Sequence, residues 1–390
     1  MANVWPLKRA HLEEVKTATR RRYLVSVDFD LTAVSPQWRE LESTGGLTPF
    51  QTQAWLLSWY QIVAPALNIF PIFVTVRDRA SGRPMMLLPL CLKRKLGVAR
   101  ITFPDCGLSD YNAPLLSPGF QPSEAEFEEL WNDISRALPR ADLISFEKMP
   151  EFVAERPNPM VRLSSTKCMR LRAWGFELPN TRSAYDKSLR TNIRTELRRR
   201  RRKLEGEGPV RFVRAQSEAQ GREIFEMLRR QQKARFTQLG RPNILDSALY
   251  LRFYKSVIFD SWNKRFSLLS ALLVHDQVVA TAFALNHQHH YLLLMHSFEP
   301  GHWHTKSPGI LLLDNTITNQ IESGGTYFDL TVGNEVYKRK FGVTGHLLHS
   351  RIQGLSAIGW AFALISHARK IAGNQIRRLP ERYLPERLKS

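Results

Sequence analysis

The chain of 390 residues is poor in several things at once. It has three cysteines, Cys91, Cys106 and Cys168, and no C-x-x-C pair. That excludes a disulfide framework and a Cys-based zinc site, and it fits a reducing, cytoplasmic setting. Acid is scarce: 36 Asp and Glu stand against 56 Lys and Arg, a formal net charge of +20. A field of that sign selects anionic partners. No G-x-S-x-G elbow, Walker A loop, G-x-G-x-x-G fingerprint or H-E-x-x-H pair occurs, which removes the usual hydrolase, P-loop, dinucleotide and zinc-protease readings. The first residues, Met1 to Arg22, mix charges with apolar residues and contain no apolar core of a signal peptide. Gln51 to Val76 is free of charge, but Gln61, Asn68, Pro65 and Pro71 interrupt it. Trp55 and Trp59 sit at helical spacing, so a buried helix followed by a buried strand is expected there, and no membrane span.

What is present is a globular composition, 43% hydrophobic and 24% charged, long enough for two domains. The excess positive charge is local. Arg182 to Leu204 holds ten Lys or Arg against Asp186 and Glu196, and residues 366–390 hold seven against Glu381 and Glu386. Either a solvated helix face or an anion-binding face would have this composition. On a helix Arg190, Arg194, Arg198 and Arg202 form one stripe, the expected contact for an anionic partner. Few aromatics accompany it, which argues against a surface for single-stranded nucleic acid.

The order of elements is readable in both halves. In the C-terminal half, a short strand (Val210 to Ala215) precedes two helices, Ser217 to Phe236 and one capped by Asp246 and reaching Trp262. Three strands follow, Phe266 to Val274, Val278 to Asn286 and His290 to Phe298, joined by hairpin-length connectors. A helix from Pro308 to Glu322, a strand from Tyr327 and a short helix from Glu335 to Phe341 complete the order. In the N-terminal half, strands at Tyr23 to Phe29, Pro71 to Arg77, Met85 to Leu92, Arg100 to Phe103 and Ala141 to Glu147 accompany helices around Trp38, Trp55 and Ser123 to Leu138. A mixed α/β protein of two tandem domains, each a mostly antiparallel sheet flanked by helices, is expected. The expected boundaries are 1–150, a linker and basic helix at 151–204, 205–355, and a basic helical tail at 356–390.

Three constellations carry candidate chemistry. Ser307-Pro308-Gly309 opens a helix, where free N–H groups and the helix dipole favour a phosphate, with Lys306 beside it. An ordinary helix start reads the same way. Asp329 lies in an apolar strand, where a buried carboxylate needs a partner or a job. Tyr337 and Phe341 share a helix face beyond Gly333. Seven histidines fall between His275 and His304, but no ligand spacing accompanies them, so polar turn residues are expected and no metal.

These residues resemble a known family. The C-terminal half is similar to the GNAT acyltransferases, and more closely to their cellulose-biosynthesis-associated, CelD-like branch. The resemblance is carried by Arg190-Thr-Asn-Ile-Arg194, Val279-Ala280, Ser307-Pro308-Gly309, and Phe328-Asp329-Leu330 followed by Gly333 and Tyr337-Lys338. Ser109-Asp110-Tyr111 and Leu88-Pro89-Leu90 belong to the same pattern, which covers about residues 20 to 355. The doubled arrangement is also similar to Fem-type transferases, which use aminoacyl-tRNA. The resemblance implies acetyl-CoA or another acyl-CoA as donor, cradled by Lys306, Ser307, Pro308, Gly309, Ile310 and Leu311. It implies Tyr337 as the acid that protonates the leaving thiolate, with Asp329 and then Glu299 as candidate bases. Asp110, Tyr111 and Lys338 would hold the acceptor, a sugar, an amine or a polysaccharide or envelope precursor. One departure is that the family's glycine-rich loop is reduced to Gly301 and Gly309. The N-terminal half has no cradle of its own, and Asp105 to Ser123 stands in its place. The remaining readings are aminoacyl transfer from tRNA and a non-catalytic scaffold docking an anionic polymer. A position on the inner membrane surface is compatible with each.

Overall fold

The computed structural model describes residues 22–44, 46–333 and 335–365. The N-terminal half contributes strands β1 (Tyr23–Asp28), β2 (Phe70–Asp78), β3 (Pro84–Lys95), β4 (Val98–Thr102), β5 (Leu115–Leu116) and β6 (Leu143–Pro150). A two-residue hairpin, β7 (Phe152–Val153) with β8 (Arg156–Pro157), precedes β9 (Lys167–Glu177). The C-terminal half adds β10 (Val210–Arg214), β11 (Ser267–Val274), β12 (Gln277–His287), β13 (His290–Phe298), β14 (Tyr327–Val332) and β15 (Thr344–Gly354).

The path β1-β2-β3-β4-β6-β15-β9-β14-β13-β12-β11-β10, with β5 attached to β3, makes one sheet of 13 strands. Read inward from either edge, the pattern repeats. Four strands run antiparallel, then one parallel step follows, β4 to β6 on one side and β13 to β14 on the other. β15 and β9 join the two repeats at the centre by antiparallel pairing. The expected mixed α/β architecture with mostly antiparallel sheets flanked by helices is therefore present, with both halves fused into a single sheet.

The helices are α1 (Leu31–Thr44), α2 (Gln53–Ser58), α3 (Ala64–Ala66), α4 (Glu124–Ala137), α5 (Arg182–Ser188), α6 (Thr191–Glu205), α7 (Glu218–Gln238), α8 (Ala248–Phe259) and α9 (Pro308–Glu322). Ser123 caps α4 through a capping box with Glu126, and Pro308 opens α9. The charge-free stretch after Gln51 folds as α2, a π turn (Trp59–Val63), α3 and the start of β2. Among the described residues no helix is long and apolar enough to cross a membrane.

Four expectations need correction. The Pro-rich segment between Met149 and Ser183 contributes β9, a central strand, because its alternating residues find partners on both sides. β15 was not foreseen. Asp246 ends a 3-10 turn (Ile244–Asp246), and Ser247 precedes α8. The segment after Glu335 is a 3-10 turn (Val336–Phe341) and not an α-helix. The expected tail is helical at 357–365, and its continuation, like the first 21 residues, lies outside the described residues.

One hydrophobic cluster crosses the boundary between the halves. Trp38, Phe50, Trp55 and Trp59 pack with Phe253, Tyr254, Phe283 and Met295. Trp55 is fully buried, with its ring edge-on to Phe253 at 5.0 Å and to Phe50 at 5.1 Å, and its indole N–H donates to Ser109 Oγ at 3.1 Å. Trp55→Ala is expected to cost about 3–5 kcal/mol. Because the ring belongs to both halves, urea unfolding of the variant should remain a single transition at lower denaturant. Two separated transitions would contradict a shared core.

Candidate active site at the seam between the halves

The period of two in β14 sorts its side chains. Phe328 and Leu330 enter the apolar cluster beneath α9, so Asp329 and Thr331 face the opposite side. There Asp329 meets the N-terminal half. The Tyr111 hydroxyl is 2.8 Å from both carboxylate oxygens of Asp329. The Thr331 amide donates to Asp329 Oδ1 at 2.6 Å, and the Thr331 hydroxyl donates to the Leu293 carbonyl at 3.1 Å. Thr331 has φ +57°, a left-handed conformation costly for a β-branched residue. Its two hydrogen bonds hold it there.

Tyr111 is placed by a firmly built segment. Gln51 Nε2 donates to the Tyr111 carbonyl at 3.1 Å, and Phe50 lies edge-on to its ring at 5.6 Å. Lys148 pairs with Asp105 at 2.7 Å and also donates to the Ser109 carbonyl. The stretch that replaces a cradle in this half is therefore buried structure, with Ser109, Tyr111 and Asn112 inside.

Two carboxyls share the seam. Burial pushes Asp329 up to about 7, against the opposing pull of the Tyr111 and Thr331 hydrogen bonds, and neighbouring Asp110 raises it further. Burial also pushes Asp110 up to about 6, with Lys148 working against it. Such values suit a proton acceptor at neutral pH. Lys338 is buried and donates to the carbonyls of Val332 at 2.7 Å and Thr331 at 3.4 Å, with Glu335 at 3.1 Å. Its ammonium is committed to clasping the turn between Asp329 and Tyr337. This corrects its expected role as an acceptor ligand.

β13 and β14 pair only at His290–Tyr327, Tyr291–Phe328 and Leu292–Asp329, while β13 continues to Phe298. The strands thus part beyond Asp329. A bulge in β13 leaves Leu294 without a partner residue on β12. Beside this opening, the rings of Tyr337 and His296 meet edge-on at 5.0 Å. Burial raises the Tyr337 hydroxyl and pushes His296 down to about 4. His296 in turn approaches Gly309, where a side-chain carbon would stand 3.7 Å from His296 Cδ2 and 3.1 Å from Phe298 Cδ1. Gly309 is thus small because β13 packs against it. His296 lies inside the strand expected from His290 to Phe298, and the sequence alone gives it no role. Its place in an apolar strand, beside buried Met295, was the available signal.

The expected donor cradle is partly rearranged. Ser307 adopts a left-handed conformation at the start of α9, and its hydroxyl accepts from Arg200 of α6. Lys306 is taken by Glu207 and does not stand free beside Ser307. The Ser307 amide donates to the His304 carbonyl at 3.3 Å, and the Ile310 amide to Ser307 at 3.2 Å, so two of the expected phosphate donors are occupied. Pro308, Gly309 and Leu311 are buried. Arg200, missed in the sequence because it lies off the stripe, supplies the charge expected of Lys306. Glu196 links Arg200 at 2.5 Å to Lys340 at 2.7 Å, bracing α6 against the Tyr337 segment.

Glu299 ends beside α7, paired with Arg230 at 3.0 Å and Gln231 at 3.4 Å. It is turned to α7, whereas Asp329 is turned to the seam. Along α6, Arg190, Arg198 and Arg202 are exposed and Arg194 is half-buried against Thr191 of its own helix. Arg201 turns inward to Asp314 at 3.2 Å. Among the described residues no cluster of His, Cys, Asp and Glu could hold a metal ion.

Residues 191–339 match the family model of an acetyltransferase (GNAT) domain. That interval runs from the first residue of α6 through the start of α9, Asp329 and Tyr337. Among solved structures, the chain is similar to FemX, with TM-score 0.57 and 8% identity over 83% of this chain and 96% of that one. It is also similar to a conserved protein of unknown function from Bacteroides thetaiotaomicron VPI-5482, with TM-score 0.52 and 11% identity over 84% and 99%. At these identities the likeness is one of fold. No curated protein matches the chain.

The raised carboxyl has a measurable consequence. Folded Asp329 keeps a proton that the unfolded chain, near its ordinary value of 3.8, has lost. Stability attributable to this group is therefore full at low pH and falls as pH rises from about 4 to about 7. Asp329→Asn retains acceptors for Tyr111 and the Thr331 amide but carries no charge. The gain in melting temperature of the variant over the parent should grow from about pH 4 to about pH 7 and then level off. A gain independent of pH would show that Asp329 is ionised throughout.

Proposed function

We propose that the protein is an acyltransferase using an acyl-CoA donor, with Asp329 as general base. The single observation that carries this reading is the Asp329 carboxyl. It is buried where β13 and β14 part, bonded by Tyr111 and poised near neutrality. It lies inside the interval that matches the acetyltransferase domain. Ionised Asp329 accepts the proton of an acceptor amine or hydroxyl as that atom attacks the thioester carbonyl. Backbone groups freed at the Leu294 bulge polarise the carbonyl oxygen. Tyr337 gives its proton to the departing thiolate, and its raised value keeps that proton in place beforehand. Lys338 is a positioning residue that holds the turn between base and acid.

The start of α9 fits a donor phosphate in charge, through Arg200 at Ser307 and the helix dipole. The acceptor is a sugar, amine or polysaccharide precursor of the envelope, in keeping with the CelD-like resemblance. Tyr111 and Asp110 frame its entry from the N-terminal half. The exposed Arg198 and Arg202, on the face of α6 turned away from Ser307, favour one second reading, an aminoacyl-tRNA donor.

Tyr337→Phe should lower kcat by about 10²-fold with little change in donor KM. In the parent, kcat/KM should rise through about pH 7 as Asp329 ionises. That limb should vanish in Asp329→Asn. An unchanged kcat in Tyr337→Phe would leave Tyr337 a packing residue. Turnover with aminoacyl-tRNA and none with acetyl-CoA would select the second reading.

A further inference from the structure

Exposed apolar side chains gather at one end of the N-terminal half. Leu96 is 88% exposed at the tip of the β3–β4 hairpin, and Trp360 and Leu364 are 59% and 67% exposed on the helical segment 357–365. Leu67, Phe70 and Ile358 are exposed as well. Strand register brings these separate segments together. Gly354 of β15 stands beside Leu143 of β6, Leu143 beside Arg100 of β4, Arg100 opposite Lys93 of β3, and Leu92 opposite Phe70 of β2. Four strand spacings span about 20 Å.

Asp142 ties the row. Its carboxylate accepts from the Ala99 amide at 2.7 Å and from Ser356 Oγ at 2.7 Å, and its carbonyl accepts from the Leu355 amide at 2.7 Å. The helical segment is oriented by Gly359, which lies so close to Asp142 that a side-chain carbon would collide with the Asp142 backbone. The face opposite Gly359 carries Ala357, Ala361, Leu364 and Ile365, all exposed and none charged.

Cationic residues rim this apolar face. Arg94 and Lys95 are exposed beside Leu96, and Arg140 is exposed just before Asp142. Residues 366–390, next in the sequence, contain seven Lys or Arg against two Glu. An apolar face with an interfacial Trp and a basic margin matches the boundary between acyl chains and anionic headgroups. A second copy of the chain would bring a like-charged margin against this one and be repelled.

We propose that this end of the molecule docks on an anionic lipid bilayer, with the helical segment and the Leu96 tip entering the headgroup layer. The test is flotation of the full chain with vesicles of phosphatidylcholine alone or mixed with phosphatidylglycerol. The protein should float with the mixed vesicles and be released by salt. Leu96→Glu and Trp360→Glu should each weaken partitioning about tenfold or more, since each removes an apolar side chain that would enter the bilayer. Both positions are exposed, so the melting temperature should hold. Absence from mixed vesicles would overturn the proposal. So would flotation indifferent to both substitutions, or a self-association in sedimentation that the same substitutions abolish.

Discussion

The hydrogen bond between the Tyr111 hydroxyl and the Asp329 carboxylate is the interaction on which the site depends. A carboxylate in an apolar strand is tolerable only with a partner, because an unpaired buried charge costs far more than one bond returns. The partner comes from the other half of the chain. The two repeats must therefore be docked before Asp329 has its environment. The shared core around Trp55 and the central strands β9 and β15 enforce that docking. Fold and site are thus coupled: the same seam that closes the sheet sets the proton affinity of the carboxyl.

The two repeats differ where their sheets part. Both repeats contain the antiparallel run and the parallel step, and both parallel steps begin to open a sheet. In the C-terminal repeat the opening beyond β13 and β14 is flanked by α9, His296 and Tyr337. In the N-terminal repeat the corresponding region is closed by the segment carrying Ser109, Asp110 and Tyr111, held by Trp55, Gln51 and Lys148. The segment that closes one repeat thus forms a wall of the opening in the other. Strain at Thr331 sits where the seam and the opening meet, as expected when surrounding bonds over-determine a backbone.

Much of this was legible in the amino acids. Strand alternation, the Ser-Pro-Gly helix start and the meander connectors placed most elements within a few residues, because local turn and capping chemistry marks those boundaries. Asp329 and Tyr337 stood out as a carboxylate in an apolar strand and a tyrosine after a glycine turn. What stayed hidden is non-local. β9 lies in a proline-rich stretch and β15 in a polar one, and each is a strand only because the other repeat supplies its edges. Lys306 and Lys338 looked available from sequence, yet Glu207 claims one and the Thr331–Val332 carbonyls claim the other. Arg200 stayed hidden because nothing in a run of five arginines says that it reaches Ser307 while Arg201 reaches Asp314.

Calorimetric titration of the full chain with acetyl-CoA tests the central claim most directly. The account predicts micromolar binding at a single site per chain, weakened when Arg200 is changed to Gln. No binding by the folded protein would contradict an acyl-CoA donor, and so would binding that ignores Arg200.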